Sequence, residues 1–187
     1  MILSGKEILK RLGGDIKITP FDTRCLNPNS YNVHLADEIV EYSHKVIDMA
    51  ANNQSTHSTI PKSGMVLHPG HIYLARTVEY TETRNLIPMI EGRSGCGRLG
   101  LFIHATAGFG DIGFCGYWTL ELSVVQPLIV YPGVEIAQLF YHTVEGEYDN
   151  SEYRGSYQAN TGIQTSQMFN KVRSMLDTSP TLPFDDR

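Results

Sequence analysis

Apolar and polar residues alternate along much of this chain with a period of two, the spacing of half-buried β-strands. The clearest case is Tyr117-Trp118-Thr119-Leu120-Glu121-Leu122-Ser123-Val124. It puts Trp118, Leu120, Leu122 and Val124 on one face and Tyr117, Thr119, Glu121 and Ser123 on the other. The first is a natural core face, while the second is polar and carries a carboxylate. Similar patterns predict strands at Ile16–Thr19, closed by Pro20, and after the turn Asn27-Pro28-Asn29. Others are expected at 65–75 and 77–80, broken by His68-Pro69-Gly70-His71, and at 127–132 and 134–142.

Helical spacing occurs at the N-terminus, over 1–14. Ser4 and Glu7 have the spacing of a capping box, Ile8, Leu9 and Leu12 form an apolar stripe, and Gly13-Gly14 ends it. Residues 48–63 are polar and without period, and read as a surface loop. Short strands, Gly/Pro turns and one short N-terminal helix predict an all-β fold, a distorted barrel or jelly-roll-like sandwich. A tail over 147–166, rich in Tyr, Gly, Gln and Asn, is expected to be either a disordered terminus or a lid that orders over a ligand. Residues 167–187 read as a flexible tail beyond a single domain of 1–166.

Composition narrows the function classes. The 187 residues suffice for one domain with a real core, and the net charge of −5 argues against a nucleic-acid surface, which needs a basic face. No apolar window is long enough to span a membrane and no signal-peptide layout is present, so a cytoplasmic location is expected. Cys25, Cys96 and Cys115 form no Cys-x-x-Cys pair, so spacing indicates neither a disulfide framework nor a structural zinc site. Zinc-dependent nucleobase deaminases need a His/Cys-x-Glu segment followed by Pro-Cys-x-x-Cys. Neither stands here, which excludes that class. The pair His68 and His71 is better explained by a Pro-Gly turn between strands than by a metal.

The chemistry concentrates between Glu91 and Leu122. Gly92-Arg93-Ser94-Gly95-Cys96-Gly97-Arg98 reads as a glycine-broken turn offering backbone N–H groups, a hydroxyl and two guanidinium groups, a set suited to phosphate oxygens. Asp111, flanked by Gly110 and Gly113, suits a tight turn. Glu121 admits two readings: a solvated strand glutamate, or a partly shielded carboxylate able to shuttle protons.

The same stretch resembles the signature of the dCTP deaminase family, relatives of the trimeric dUTPases. The matching residues are Glu91-Gly92-Arg93-Ser94, Gly97-Arg98-Leu99-Gly100-Leu101, His104-Ala105-Thr106-Ala107-Gly108-Phe109, Asp111, Gly113-Phe114, Gly116 and Thr119-Leu120-Glu121. The match is long, ordered and ungapped, and the resemblance covers most of 1–166. It implies a dUTPase-type fold, a homotrimer with sites at subunit junctions, and a dCTP, dUTP or related pyrimidine deoxynucleotide substrate. It further implies Glu121 as proton carrier, Ser94 and Arg98 as supports for the water and for Glu121, and the Ala107 backbone as reader of the base edge. Asp111 stands where relatives hold an aspartate for triphosphate cleavage. Arg93, Gly95, Cys96, Gly97, Thr119, Leu120 and Gln138 would contact the nucleotide, together with Tyr148, Ser156 and Asn160 of the tail. Gly108-Phe109 resembles the pair found in members that convert dCTP directly to dUMP. Magnesium would be bound through the substrate phosphates, with no metal held by protein ligands and no zinc.

Departures from the family pattern bear on the phosphates. Gly95 replaces a serine, Ser156 a lysine and Asn160 a glutamine, while Asn32 and His34 stand at aspartate and arginine positions. Each lost hydrogen bond to a charged group is worth about 1.5–3 kcal/mol. Rival readings are deamination alone, a dUTPase or an enzyme of a modified pyrimidine nucleotide, and a nucleotide-binding regulator without turnover.

Overall fold

Alternation becomes strand almost wherever it occurs. The computed structural model describes residues 1–146 and 152–178. In chain order the elements are α1 (Gly5–Arg11), β1 (Ile16–Thr19), a 3-10 turn (Thr23–Cys25), β2 (Tyr31–Tyr42), β3 (Ser55–Thr59), β4 (Met65–Leu67) and β5 (Tyr73–Thr83). There follow β6 (Leu86–Gly92), α2 (Ser94–Arg98), β7 (Leu101–Phe102), β8 (Cys115–Val124), β9 (Leu128–Val130), β10 (Glu135–Thr143) and α3 (Met168–Thr178).

One half of the capping box forms: Ser4 Oγ accepts from the Glu7 N–H at 3.2 Å, while the Glu7 carboxylate pairs with Arg11. Ile8 is fully buried, but Leu9 is exposed, so the apolar stripe of α1 is narrower than expected. The Leu3 N–H donates to Tyr141 O at 2.9 Å and ties the helix to β10.

The main sheet runs β6-β10-β2-β5-β8-β7, with β1 added to β5 and β3 added to β2. All pairings between these strands are antiparallel. A separate two-stranded sheet pairs β4 with β9. The segment after β7 nearly closes the main sheet on itself. Ile103 O accepts from the Glu121 N–H of β8, while Gly108 O accepts from the Ile90 N–H of β6, both at 2.8 Å. A mostly β, barrel-like domain results, as the alternation predicts. No helix among the described residues is long and apolar enough to cross a membrane, which says nothing of β-barrels.

Two elements depart from expectation. Within the predicted loop of 48–63, Ser55–Thr59 pairs with the far half of β2. Its sequence, Ser-Thr-His-Ser-Thr, has no apolar face, so backbone pairing alone makes it a strand and the hydrophobic pattern is blind to it. The expected flexible tail contains α3, where Met168, Val172 and Met175-Leu176 recur at helical spacing. Arg173 Nε donates to Ala50 O at 2.8 Å and fastens this helix to the loop before β3.

The core collects the inward faces of β2, β8 and β10. Val33, Leu35, Ile39, Leu122, Ile136 and Leu139 have no exposed surface. The β8 face predicted as core is buried throughout, and the opposite face is half-buried at every position. Leu122→Ala should therefore lower unfolding free energy by about 2–5 kcal/mol in denaturant titration.

Candidate active site

Glu121 extends from the polar face of β8 into a cavity of about 580 Å³. Its Oε2 accepts from the Ala105 N–H at 3.4 Å, which aims the carboxylate along the loop that closes the sheet. Thr119 and Tyr117 of the same face share the lining, as do Ala107 and Phe109 from that loop. Trp118 backs the wall, with its Nε1–H donating to Thr81 Oγ1 at 3.0 Å and its ring centroid 4.8 Å from that of Phe114. Arg76 lies over the Tyr117 ring, 4.6 Å from its centroid, and its Nε donates to Glu38 at 2.9 Å. Aromatic side chains beside the one carboxylate among the described lining residues suit a planar heterocycle with polar edges.

The loop between β7 and β8 is fixed by contacts that leave no room for side chains at three positions, Gly108, Gly110 and Gly113. A Cβ on Gly108 would lie 2.5 Å from Ile90 O and 2.6 Å from His104 Nε2. The His104 ring is itself held, with Nε2 3.5 Å from Glu91 Oε2. Asp111 opens the predicted turn: its carbonyl accepts from the Phe114 N–H at 3.2 Å. Gly113 takes φ +83° there, and a Cβ on it would meet Glu152 Cβ at 2.6 Å. The Asp111 side chain is exposed; Gly110 before it lines the cavity, but Asp111 itself does not.

The tail covers one side of this cavity. Gln158 Nε2 donates to Gly113 O at 2.7 Å, and the Gln164 N–H donates to Thr119 Oγ1 at 3.2 Å. Tyr153, Tyr157 and Met168 join the lining. Asn160 also lines the cavity, but its Oδ1 accepts from the Tyr117 N–H at 2.8 Å, so its amide fastens the tail to β8. Ser156 is exposed and away from the lining. Tyr148 lies outside the described residues.

The remaining residues marked by the sequence do not meet Glu121 within one chain. The glycine-broken turn folds as the single-turn helix α2, closed by the Gly97 N–H on Arg93 O at 3.0 Å. Ser94, Gly95, Gly97 and Arg98 are exposed on it, and Arg98 Nη1 donates to Ser94 O at 3.3 Å. Among the described residues no hydrogen bond or ion pair joins Ser94 or Arg98 to Glu121. Arg93 pairs with Glu135, and Gln138 accepts at Oε1 from Ser30 Oγ at 3.2 Å. Leu120 points into the core at 1% exposure, and partly buried Cys96 packs against the core, where burial pushes its thiol pKa up. In this chain Leu120 presents only its backbone to the cavity side. Sequence reasoning missed Glu135 and Gln164. No local pattern marks either, because their partners are brought to them by strand pairing and by the tail's path.

Fold and cavity together define a small barrel-like β domain with a carboxylate-bearing ligand pocket. The family model described as dCTP deaminase-like matches residues 2–144, and the chain belongs to that family. It is 59% identical over 170 residues to a protein of Leptospira biflexa described as "dCTP deaminase, dUMP-forming", covering 90% of this chain and 97% of the relative. A protein of Hathewaya histolytica with the same description is 56% identical over 169 residues, covering 90% of this chain and 98% of its own. The solved 2'-deoxycytidine 5'-triphosphate deaminase of Agrobacterium tumefaciens shares the fold, with a TM-score of 0.60 at 18% identity. That likeness covers 76% of this chain and 48%, about half, of the solved one.

Proposed function

We propose that this chain is a dUMP-forming dCTP deaminase: it hydrolyses dCTP at C4 of the base and then cleaves the triphosphate to dUMP and pyrophosphate. The observation that carries this reading is the Glu121 carboxylate, half-buried in the aromatic-walled cavity and oriented by the Ala105 N–H. A water adds to C4 of cytosine while Glu121 takes its proton and passes it to N3. The carboxylate then moves the second hydroxyl proton to the amino group, the C–N bond breaks and ammonia leaves. A second water attacks the α-phosphorus from the Asp111 side, and pyrophosphate departs.

The working unit is a homotrimer, in which Ser94 and Arg98 of a neighbouring copy complete the site around Glu121. Supporting this, α2 displays those groups outward from its own chain, and a Cβ at Gly95 or Gly97 would meet nothing within 4 Å. Exposed Leu99, Phe102 and Val125 cluster beside the two-residue strand β7, an apolar edge that a second copy would cover. Arg93 keeps guanidinium N–H groups beyond its pair with Glu135 for phosphate oxygens. The described part of the 147–166 tail, residues 152–166, acts as the lid of a single domain. Among the described residues Glu121 is the one carboxylate lining the cavity, which fits magnesium arriving on the triphosphate rather than in a protein cage. Bound so, the ion neutralises phosphate charge. The three free cysteines suit a reducing cytoplasm.

Parallel incubations with dCTP, dCMP and dUTP, with and without magnesium, test the reading when products are resolved by chromatography. Equal amounts of dUMP, ammonia and pyrophosphate from dCTP support it. Accumulating dUTP without pyrophosphate makes the chain a deaminase alone, and untouched dCTP removes deamination. Asp111→Asn should slow pyrophosphate release more than ammonia release, so that dUTP accumulates. Equal loss of both would make Asp111 a turn residue only.

A further inference from the structure

Three groups that the proposed chemistry does not use converge where the 3-10 turn, β2 and the start of β10 meet. Cys25 Sγ lies 3.9 Å from His34 Nε2 and 4.0 Å from Glu135 Oε1. All three ligand atoms lie within 4.8 Å of one another.

Each group is held from behind. His34 Nδ1 sits 2.5 Å from Glu79 Oε1, and the His34 backbone N–H donates to Glu79 Oε2 at 2.9 Å. With Nδ1 engaged by Glu79, Nε2 is the ring nitrogen that faces the Cys25 sulfur. Glu79 reaches this place because β5 shifts register between Arg76 and Tyr80, where Thr77 Oγ1 donates to Glu79 O at 2.8 Å. Glu135 commits Oε2 to Arg93 and to Asn32 Nδ2, the latter at 3.1 Å, and so presents Oε1 to the thiol. Cys25 ends a turn capped by Asp22, whose Oδ1 accepts from the Arg24 N–H at 2.9 Å.

We infer that Cys25, His34 and Glu135 form a site for a divalent transition ion of tetrahedral preference, zinc in the first instance, with water as fourth ligand. One sulfur, one imidazole nitrogen and one carboxylate oxygen are a ligand set that such ions accept. Tetrahedral bonds of about 2.0–2.3 Å place ligand atoms roughly 3.3–3.6 Å apart, so the two sulfur spans need close by only about half an ångström. Binding releases the thiol proton, and one thiolate with one carboxylate balances the ion's two charges. A metal on Nε2 also strengthens the Nδ1–H bond to Glu79, a carboxylate with 2% exposure. The site is structural: it clamps the 3-10 turn to β2 and β10 and fixes Glu135, the partner of Arg93. Cysteine spacing gives no hint of it, because Glu135 lies 110 positions beyond Cys25. The inference is independent of the reaction proposed above.

Cobalt reports the site without any assay of turnover. The chain, stripped with a chelator, is titrated with Co²⁺ while absorbance and proton release are followed, and circular dichroism confirms that each variant is folded. The expected result is one equivalent per chain, a thiolate-to-cobalt charge-transfer band and one proton released. Cys25→Ser should abolish the band, whereas the double variant Cys96→Ser/Cys115→Ser should keep it. Glu79→Gln, which alters only the group behind His34, should weaken binding about 10–100-fold. No band in the parent chain, a band that survives Cys25→Ser, or unchanged affinity in Glu79→Gln would overturn the site and leave a thiol hydrogen-bonded within a polar cluster. Should Cys25→Ser not fold, the double variant and Glu79→Gln decide the matter.

Discussion

Glu121→Gln is expected to cut ammonia release from dCTP by about 10²–10⁴-fold while nucleotide binding persists, the range that general acid–base catalysis contributes. The substitution keeps the side chain's size and can keep an acceptor toward the Ala105 N–H, so the cavity and its aromatic wall survive. What it removes is the ability to take a proton from water and give it to N3. Calorimetry with dCTP should show affinity within a few-fold of the parent chain, and an ammonia assay should show the loss. Deamination at the parental rate would take Glu121 out of the chemistry.

Gly108→Ala is the second large effect, and it comes from packing. The new methyl would stand 2.5 Å from Ile90 O and 2.6 Å from His104 Nε2, distances that real Cβ atoms do not tolerate. Neither neighbour yields cheaply. Ile90 O belongs to β6, whose register with β10 is continuous from Leu86 to Gly92, and the His104 ring is held near Glu91. The loop must therefore move, carrying Ala107 and Phe109 of the cavity lining and the Ala105 N–H that orients Glu121. A displacement of the order of 1 Å at a reacting centre can cost about 10²-fold in rate, and forced overpacking costs about 1–3 kcal/mol of stability. Steady-state kinetics with a melting curve should show both losses together. A variant with parental rate and stability would mean that this loop does not position the reacting groups.

Much of the fold is legible in the alternation, because a half-buried strand must repeat with a period of two. Trp118, Leu120, Leu122 and Val124 are buried as their spacing requires, and Ser4 caps α1 as its spacing to Glu7 requires. The signal fails where burial does not create the element. β3 has two polar faces and forms by pairing its backbone with β2, while α3 carries its apolar residues at helical spacing yet leaves Met175 and Leu176 exposed.

Legibility of the site follows the same physics. The strand pattern alone places Glu121 and Thr119 on a shared face, and both line the cavity. It could not show that Asn160 spends its side chain on the Tyr117 backbone, or that Glu135 meets Arg93, since those contacts depend on how distant segments are laid together. Ser94 and Arg98 are recognisable as chemistry-bearing residues, yet their own chain turns them away from Glu121. On the proposed reading their use depends on a second copy, and a contact between copies leaves no period in a single sequence.

On the proposed mechanism Glu121 meets the pyrimidine edge in a pocket finished by another copy's α2. A crystal structure of the Glu121→Gln chain soaked with dCTP and magnesium tests this. A three-fold assembly is expected, with the cytosine amino edge within hydrogen-bonding distance of position 121 and Ser94 and Arg98 of the adjacent copy facing the same edge. A base bound elsewhere, or position 121 open to bulk water with no other copy's Ser94 and Arg98 beside it, would contradict it.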